Sequence, residues 1–489
     1  MRRIVRRFGE PTTASCRVKG VWGKLFFKKV FPSLERKRLL ERKRPAERGG
    51  SRLKRIRTVA AAAMAALVLS GCTSASVEEL LSPPRLDGEQ TEIYDALRAF
   101  TNDSITLKYP RSGQYRSAFV IQNIDDEPTD EAIVFYEMPN VTSGSSLRMN
   151  FLDKQNGQWV SVYDFAASGS EVESLMFRDL GNGRTTIFVN YLVQSSSDRA
   201  TSVLTYNNGT PKELANIRNI YTDIFDADGN GTDDLFVIST ERSSGITSAA
   251  VYCIDGDNLT RAGMVNLNSG FADIRDVVCG SCSPTGTRAI LIDYAFSDGS
   301  FGTDGMIHGE GYFFLSPALT PEAVVRSSNS YTPYLKCTDI DGDGTIEIPA
   351  TKPFAQYEES PRSEQICETV WYYLARNGTY LQKKYSSFVG TKGDYILIFP
   401  DSWSGNVTIA ASISEGSIRI NRYNGISGVK GESIMRIYSA ADGNTAKYDT
   451  DEYIPLGVSG TTGQAYYAQL DDSTLTPTAE ELRELFRLQ

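Results

Sequence analysis

Histidine is almost missing from this chain: His308 is the only one in 489 residues. One imidazole removes most zinc sites and any nucleophile–histidine pair that needs a partner elsewhere. It lies in SFGTDGMIHGEGYF, a Gly-rich stretch between strand-like runs, and reads as a solvated loop residue. Cysteine is scarce too. Seven thiols (positions 16, 72, 253, 279, 282, 337 and 367) are too few to staple a chain of this length. Cys279 and Cys282 have CxxC spacing but no second such pair and no βαβ pattern, so they read as a local disulfide or two reduced thiols in a turn. GxSxG, HExxH and phosphate-cradling loops are all absent. Basic charge is confined to one end: residues 1–57 carry a balance of +16 and the remainder −25. An acidic body without a basic face excludes nucleic acid as a partner.

Acidic turns are what the sequence does have. In DIDGDGTIE, Asp339, Asp341, Asp343 and Glu347 fall at first, third, fifth and ninth places. Gly342 and Gly344 allow a tight turn, and the Thr345 carbonyl can join the four carboxylates around one point. Left alone, each close carboxylate pair costs about 4 kcal/mol at 4 Å and an effective dielectric near 20. A hard cation, Ca²⁺ in the first instance, removes that cost. DADGNGTDD repeats the pattern with Asp226, Asp228, Asn230, the Thr232 carbonyl and Asp234. NIDDEPTDE keeps the spacing with Asn123, Asp125, Glu127, Thr129 and Glu131, but Pro128 replaces the turn glycine, so this third site is expected to be weaker. RDLGNGRTT and GSCSPTGTR hold Arg178, Leu180, Thr186 and Cys282 at the acidic places and are expected to be metal-free.

Each of these five turns leads into an apolar, β-branched or aromatic run: AIVFYE, IFVNY, LFVIS, AILIDY and IPA. Aligning Pro128, Gly183, Gly231, Gly286 and Gly344 gives steps of 55, 48, 55 and 58 residues. Strand–turn–strand segments with Asn-Gly or Asp-Asn type turns alternate with them, as in SSLRMNFLDKQNGQWVSVYDF and VWYYLARNGTYLQKK. One turn plus one hairpin per repeat makes a four-stranded antiparallel unit. The fold expected is mainly β: a β-propeller of four-stranded blades over 91–388, followed by a small α+β domain over 389–489 that ends in a helix. An open sandwich or solenoid is the alternative. In the segment TPTAEELRELF, Thr478 and Glu481 form a capping box and Leu482, Leu485 and Phe486 one apolar face. Over about 103–385 the chain resembles VCBS/FG-GAP-type repeat proteins, whose propeller blades carry Ca²⁺ in DxDxDGxxD loops. That resemblance implies structural calcium at the first two loops, with affinity of about 10⁻⁴–10⁻³ M.

The beginning of the chain reads as an address. Lys54 to Arg57 (KRIR) precedes an 11-residue apolar run, Val59 to Leu69, followed by LSGC. Eleven residues are short of the roughly 20 that span a bilayer. The pattern fits a secretory signal over 53–71. LSGC resembles a bacterial lipobox, which implies cleavage before Cys72, a lipid on its sulfur, and a membrane-held protein on the extracytoplasmic side. Residues 72–90 read as a tether, and 1–52 as an unstructured basic stretch or a mis-assigned start. Adjacent carboxylates in a strand point to opposite faces, so Asp233 with Asp234 makes a poor acid/base pair. The expected function is non-catalytic binding of a glycan or protein; the alternative is a carbohydrate-active hydrolase using propeller-face carboxylates.

Overall fold

The computed structural model describes residues 87–489 except 102–103, 126, 140–144, 194–198, 208, 269, 413, 426–430 and 442–444. The basic stretch, the signal, Cys72 and most of the tether lie outside the described residues. Six antiparallel sheets follow one another along the described chain. The first contains Thr106–Leu107, Phe119–Gln122, Glu131–Glu137, Leu147–Gln155 and Gln158–Ala166. The next three are four-stranded meanders in chain order. The second runs through Glu171–Asp179, Thr185–Leu192, Arg199–Asn207 and Thr210–Asn219. The third runs through Tyr221–Phe225, Asp234–Thr240, Thr247–Asp255 and Asn258–Asn266. The fourth runs through Phe271–Ser281, Arg288–Phe296, Phe301–Gly309 and Tyr312–Leu315.

The fifth sheet takes Ile348–Pro353, Cys367–Ala375, Tyr380–Val389 and Tyr395–Ile398, then the last strand of the chain, Phe486–Leu488. It therefore crosses position 389, where a domain boundary was expected. Buried Phe388, Leu397 and Phe486 share one apolar cluster, which ties the two sides together. The sixth sheet holds Val407–Ser412, Ser417–Arg422, Ser433–Ala440, Ile454–Val458 and Ala465–Leu470.

The runs that follow the turns are the structural centre. Glu131–Glu137, Thr185–Leu192, Asp234–Thr240 and Arg288–Phe296 are each buried almost end to end. Such strands are apolar on both faces because a neighbour covers each face. Alternation then divides the labour. In Asp234–Thr240, Leu235 and Val237 pack with Leu180, Phe188 and Val203 of the second sheet. Phe236 and Ile238 point the other way, to Ile290, Ile292 and Met306 of the fourth. In Arg288–Phe296, Ala289 and Leu291 join Ile348 and Leu374 of the fifth sheet. The first sheet sends Ile133 and Phe135 to the second. Its opposite face, with Val134 and Tyr136, is covered by helix α1, Gly88–Thr101, through Ile93 and Leu97. Helix α2, Ala479–Leu485, carries the capping box of Thr478 and Glu481 and buries Leu482.

His308 is not in a loop. It sits in strand Phe301–Gly309, paired with Arg288, and is half-buried. Two of the glycines before it, Gly302 and Gly305, serve close packing, while Gly311 after it makes the turn. A Cβ on Gly302 would come within 2.7 Å of the Tyr294 ring, and one on Gly305 within 2.5 Å of Leu319. Among the described residues, no helix is long and apolar enough to cross a membrane.

Candidate functional site

Loop 226–234 joins the first and second strands of the third sheet, and backbone N–H groups organise its carboxylates. Asp226 accepts from Gly229 (2.7 Å) on one oxygen and from Gly231 (3.2 Å) on the other. Asp228 accepts from Asn230 N–H (3.0 Å), Asn230 Oδ1 from Thr232 N–H (2.7 Å), and Asp234 from Ala227 N–H (3.0 Å). Asp234 is 2% exposed. Burial pushes its carboxyl up to about 6; the Ala227 N–H opposes this, and Asp228 and Asp226 add to it. Asp226, Asp228 and Asp234 each bring an oxygen within 4.8 Å of the others. Oxygen donors held at that spacing suit a hard cation, which takes carboxylate and carbonyl oxygens at about 2.3–2.6 Å. The fourth sheet grips this loop by its carbonyls. Arg288 Nε donates to Asp226 O (2.9 Å), Cys279 Sγ lies 3.5 Å from the same oxygen, and His308 Nδ1 lies 3.1 Å from Asp228 O.

Loop 339–347 has the same internal wiring. Asp339 accepts from Gly342 (2.7 Å), Asp343 (3.2 Å) and Gly344 (2.8 Å). Asp343 accepts from Thr345 N–H (2.8 Å) and buried Glu347 from Ile340 N–H (2.9 Å). Thr338 bridges Glu347, so the turn sits where a first strand enters the fifth sheet. Asp339, Asp341 and Glu347 likewise converge within 4.8 Å. One thing differs. Lys384 Nζ stands 2.7 Å from Asp341, 2.7 Å from Asp343 and 2.8 Å from Glu347. Burial works to lower the Lys384 ammonium, but those three hydrogen bonds outweigh it and leave it raised. Tyr385 Oη adds a fourth donor, to Asp341 (3.2 Å). The donor set suits a cation, and an ammonium already satisfies it.

The third loop keeps one part of the design. Glu131, 1% exposed, accepts from Ile124 N–H (2.8 Å), as Asp234 and Glu347 do at the same place in theirs. Burial pushes its carboxyl up to about 7. Asn123 turns inward to donate to the Glu127 carbonyl. Asp125 accepts weakly from Glu127 N–H (3.4 Å), and Thr129 is half-buried. In the turn after Glu171–Asp179, Asp179 takes three successive N–H groups, Gly181, Asn182 and Gly183, at 2.9–3.1 Å. Cys279 and Cys282 are free thiols, facing different carbonyls, Asp226 and Thr287, and burial pushes them up to about 11 and 12.

Two of the cavities away from these loops are lined by polar side chains. A cleft of about 620 Å³ is lined by the first strands of the second, third and fourth sheets, with Glu173, Asn190, Arg199, Tyr221 and Asp273 facing it. Arg199 Nε pairs with Glu173 at 2.6 Å. Asn190 donates to Ser174 (2.9 Å) and accepts from Thr201 (2.6 Å) and Thr222 (3.3 Å), so one amide ties two sheets at the cleft wall. A smaller cavity of about 360 Å³ lies where the fifth and sixth sheets meet. Asp394 lines it, 2% exposed, accepting from Thr462 (2.8 Å) and from Tyr466 Oη.

Sequence reasoning missed Lys384, Arg199 with Glu173, and a wholly buried ion pair. Arg326 and Asp293 are each 1% exposed and 2.8 Å apart. Arg326 also donates to Thr303 (2.6 Å), Gly302 O (2.8 Å) and Pro349 O (3.3 Å), while Asp293 accepts from Cys337 N–H (2.7 Å). A lone Asp inside the apolar run AILIDYAF was the available signal, because a buried charge needs a partner. Trp371 is core, 1% exposed, with Nε1 donating to Ser387 (2.8 Å).

No family model matches the chain. No curated protein matches it either. Among solved structures it is similar to the polysaccharide lyase Uly1, with a TM-score of 0.27 and 10% identity over 72% of this chain and 77% of that one. It is also similar to the exotype rhamnogalacturonan lyase YesX, at 0.23 and 11% over 59% and 61%, so it spans less than two-thirds of that chain. A hypothetical selenium-binding protein from Sulfolobus tokodaii gives 0.23 and 9% over 60% and 73%. At these TM-scores the likenesses carry no argument about function.

Proposed function

We propose that this protein is a binding module of propeller-type β-repeats, held on the extracytoplasmic side of a membrane by a lipid on Cys72, with structural Ca²⁺ at Asp226, Asp228 and Asp234. The observation that carries the binding role is the cleft: first strands from three successive sheets converge on one polar hollow, as they do when sheets are set radially. Its polar groups suit a hydroxyl-rich ligand, a glycan segment before an apolar peptide. The radial arrangement is also supported by the seams. Each central strand is shared between two neighbouring clusters, while Gln158–Ala166 and Asn258–Asn266, last in their sheets, are largely open to solvent.

The test is calorimetric titration of residues 73–489 against a panel of soluble oligosaccharides, with Arg199→Ala as the control. Binding that disappears in the variant supports the cleft; unchanged binding places the ligand elsewhere. Glu173 and Asp273 share the cleft, so the same panel tests the hydrolase alternative. Turnover abolished by Glu173→Gln or Asp273→Asn would replace binding with catalysis. The anchor is checked separately, by mass spectrometry of the membrane-extracted protein for a mature start at a diacylglyceryl Cys72.

A further inference from the structure

We infer that loop 339–347 carries its own cation: the Lys384 ammonium takes the place of a divalent ion there, and calcium is confined to loop 226–234. The inference deepens the calcium reading proposed above, and the experiment below separates the two.

An ammonium has three donors, and Lys384 directs them at Asp341, Asp343 and Glu347, the third, fifth and ninth places of the turn. Asp339, at the first place, has both oxygens turned to backbone N–H groups, as Asp226 has in the other loop, so the difference between the two lies in the lysine. Ca²⁺ needs six to eight oxygens, and it would have to recruit the three that Lys384 holds while a positive charge stood among them.

The sheets themselves explain why one loop has a lysine and the other does not. A β-bulge recurs at equivalent points of four sheets, where the last hairpin of the repeat slips by one residue. It falls between Phe151 and Leu152, between Val203 and Leu204, between Val251 and Tyr252, and between Trp371 and Tyr372. The extra residue on the partner strand is Val162, Leu214, Ala262 and Lys384 in turn. In two of the sheets this residue suits the third place of the turn beside it. In the second sheet the third place is Leu180, and Leu214 joins the apolar cluster around it. In the fifth it is Asp341, and Lys384 pairs with it. In the third it is Asp228, and the bulge holds only Ala262, which brings no charge and leaves the carboxylates of that loop to an outside ion.

The experiment counts calcium bound per chain by equilibrium dialysis and elemental analysis, on residues 73–489, which include the compact unit 85–489. The wild type should bind one ion, Lys384→Ala two, and Ala262→Lys none. Asp339→Asn should leave the wild-type count unchanged, and it decides the matter if Lys384→Ala does not fold. A wild type that binds two ions, or one that loses an ion on Asp339→Asn, overturns the inference, as does a folded Lys384→Ala with no added ion. A wild type that binds none while Lys384→Ala binds one upholds the role of Lys384 and overturns calcium at loop 226–234.

Discussion

Loops 226–234 and 339–347 differ by little in sequence and enter equivalent corners of the third and fifth sheets. Their electrostatics differ nonetheless. In the second, which has the fuller set of carboxylates, a lysine 37 residues beyond the end of the turn neutralises the cluster. In the first, Arg288 makes its best contact with the Asp226 carbonyl at 2.9 Å, with the nearer carboxylate oxygen at 3.6 Å, and Arg178 stands 4.0 Å from Asp233 at the edge of the loop. A set of ligands in a sequence specifies a demand for positive charge. It does not specify the source.

The largest expected effect is on the loop with the built-in cation. Lys384→Ala in calcium-free buffer leaves fully buried Glu347 beside Asp341 and Asp343 without a counter-charge. Breaking such a pair costs about 3 kcal/mol, the low end of the buried range because Asp343 is partly solvated. Urea unfolding measures it, and added calcium should recover part of the loss. Equal stability in the two proteins would break the comparison.

The next effect concerns pH, and it belongs to the other loop. The Asp234 carboxyl stands at about 6 in the folded chain against an ordinary 3.8. Its contribution is therefore fully present below about pH 4 and is lost as pH rises through 6. In calcium-free buffer, stability should fall by about 2 kcal/mol between pH 4 and pH 7 relative to Asp234→Asn. Calcium, which binds the ionised form, should remove that slope. Unfolding curves for both proteins at several pH values, with and without calcium, decide it.

Arg288→Met should cost about 1.5 kcal/mol, the low end for a charged hydrogen bond because the guanidinium is partly exposed. Removing a positive charge 3.6 Å from Asp226 should tighten calcium binding at the first loop and leave the Lys384 cluster untouched, readable by titration. The smallest effect should be common to both loops. Gly231 (φ +88°) and Gly344 (φ +84°) occupy the left-handed region with open space around them. Replacing either by Ala should cost about 1 kcal/mol, from backbone strain alone. A much larger loss at one of them would mean that the two turns are not equivalent.

Much of the architecture was legible because it is local. AIVFYE, IFVNY, LFVIS and AILIDY became the buried second strands of their sheets, since a run without polar alternation must be covered on both faces. The hairpin at Asn156 and Gly157 has the positive φ values (54° and 81°) that its Asn-Gly pair favours. The Thr478 capping box needed only four residues to be read. His308 was misplaced because glycine signals both turns and close packing, and only the positions of Tyr294 and Leu319 tell which. Arg326 and Asp293, Asn190 at the cleft, and Phe486–Leu488 closing the fifth sheet all depend on partners far apart in the chain.

Sequence alone determined where the turns fall, which strands are buried, and which loops concentrate negative charge, because each of these is written in the spacing of neighbouring residues. Tertiary structure alone decided what balances that charge. Pairing across a bulge brings Lys384 to one turn and Ala262 to the strand beside the other, and no local pattern records which residue a sheet register will place beside a distant loop.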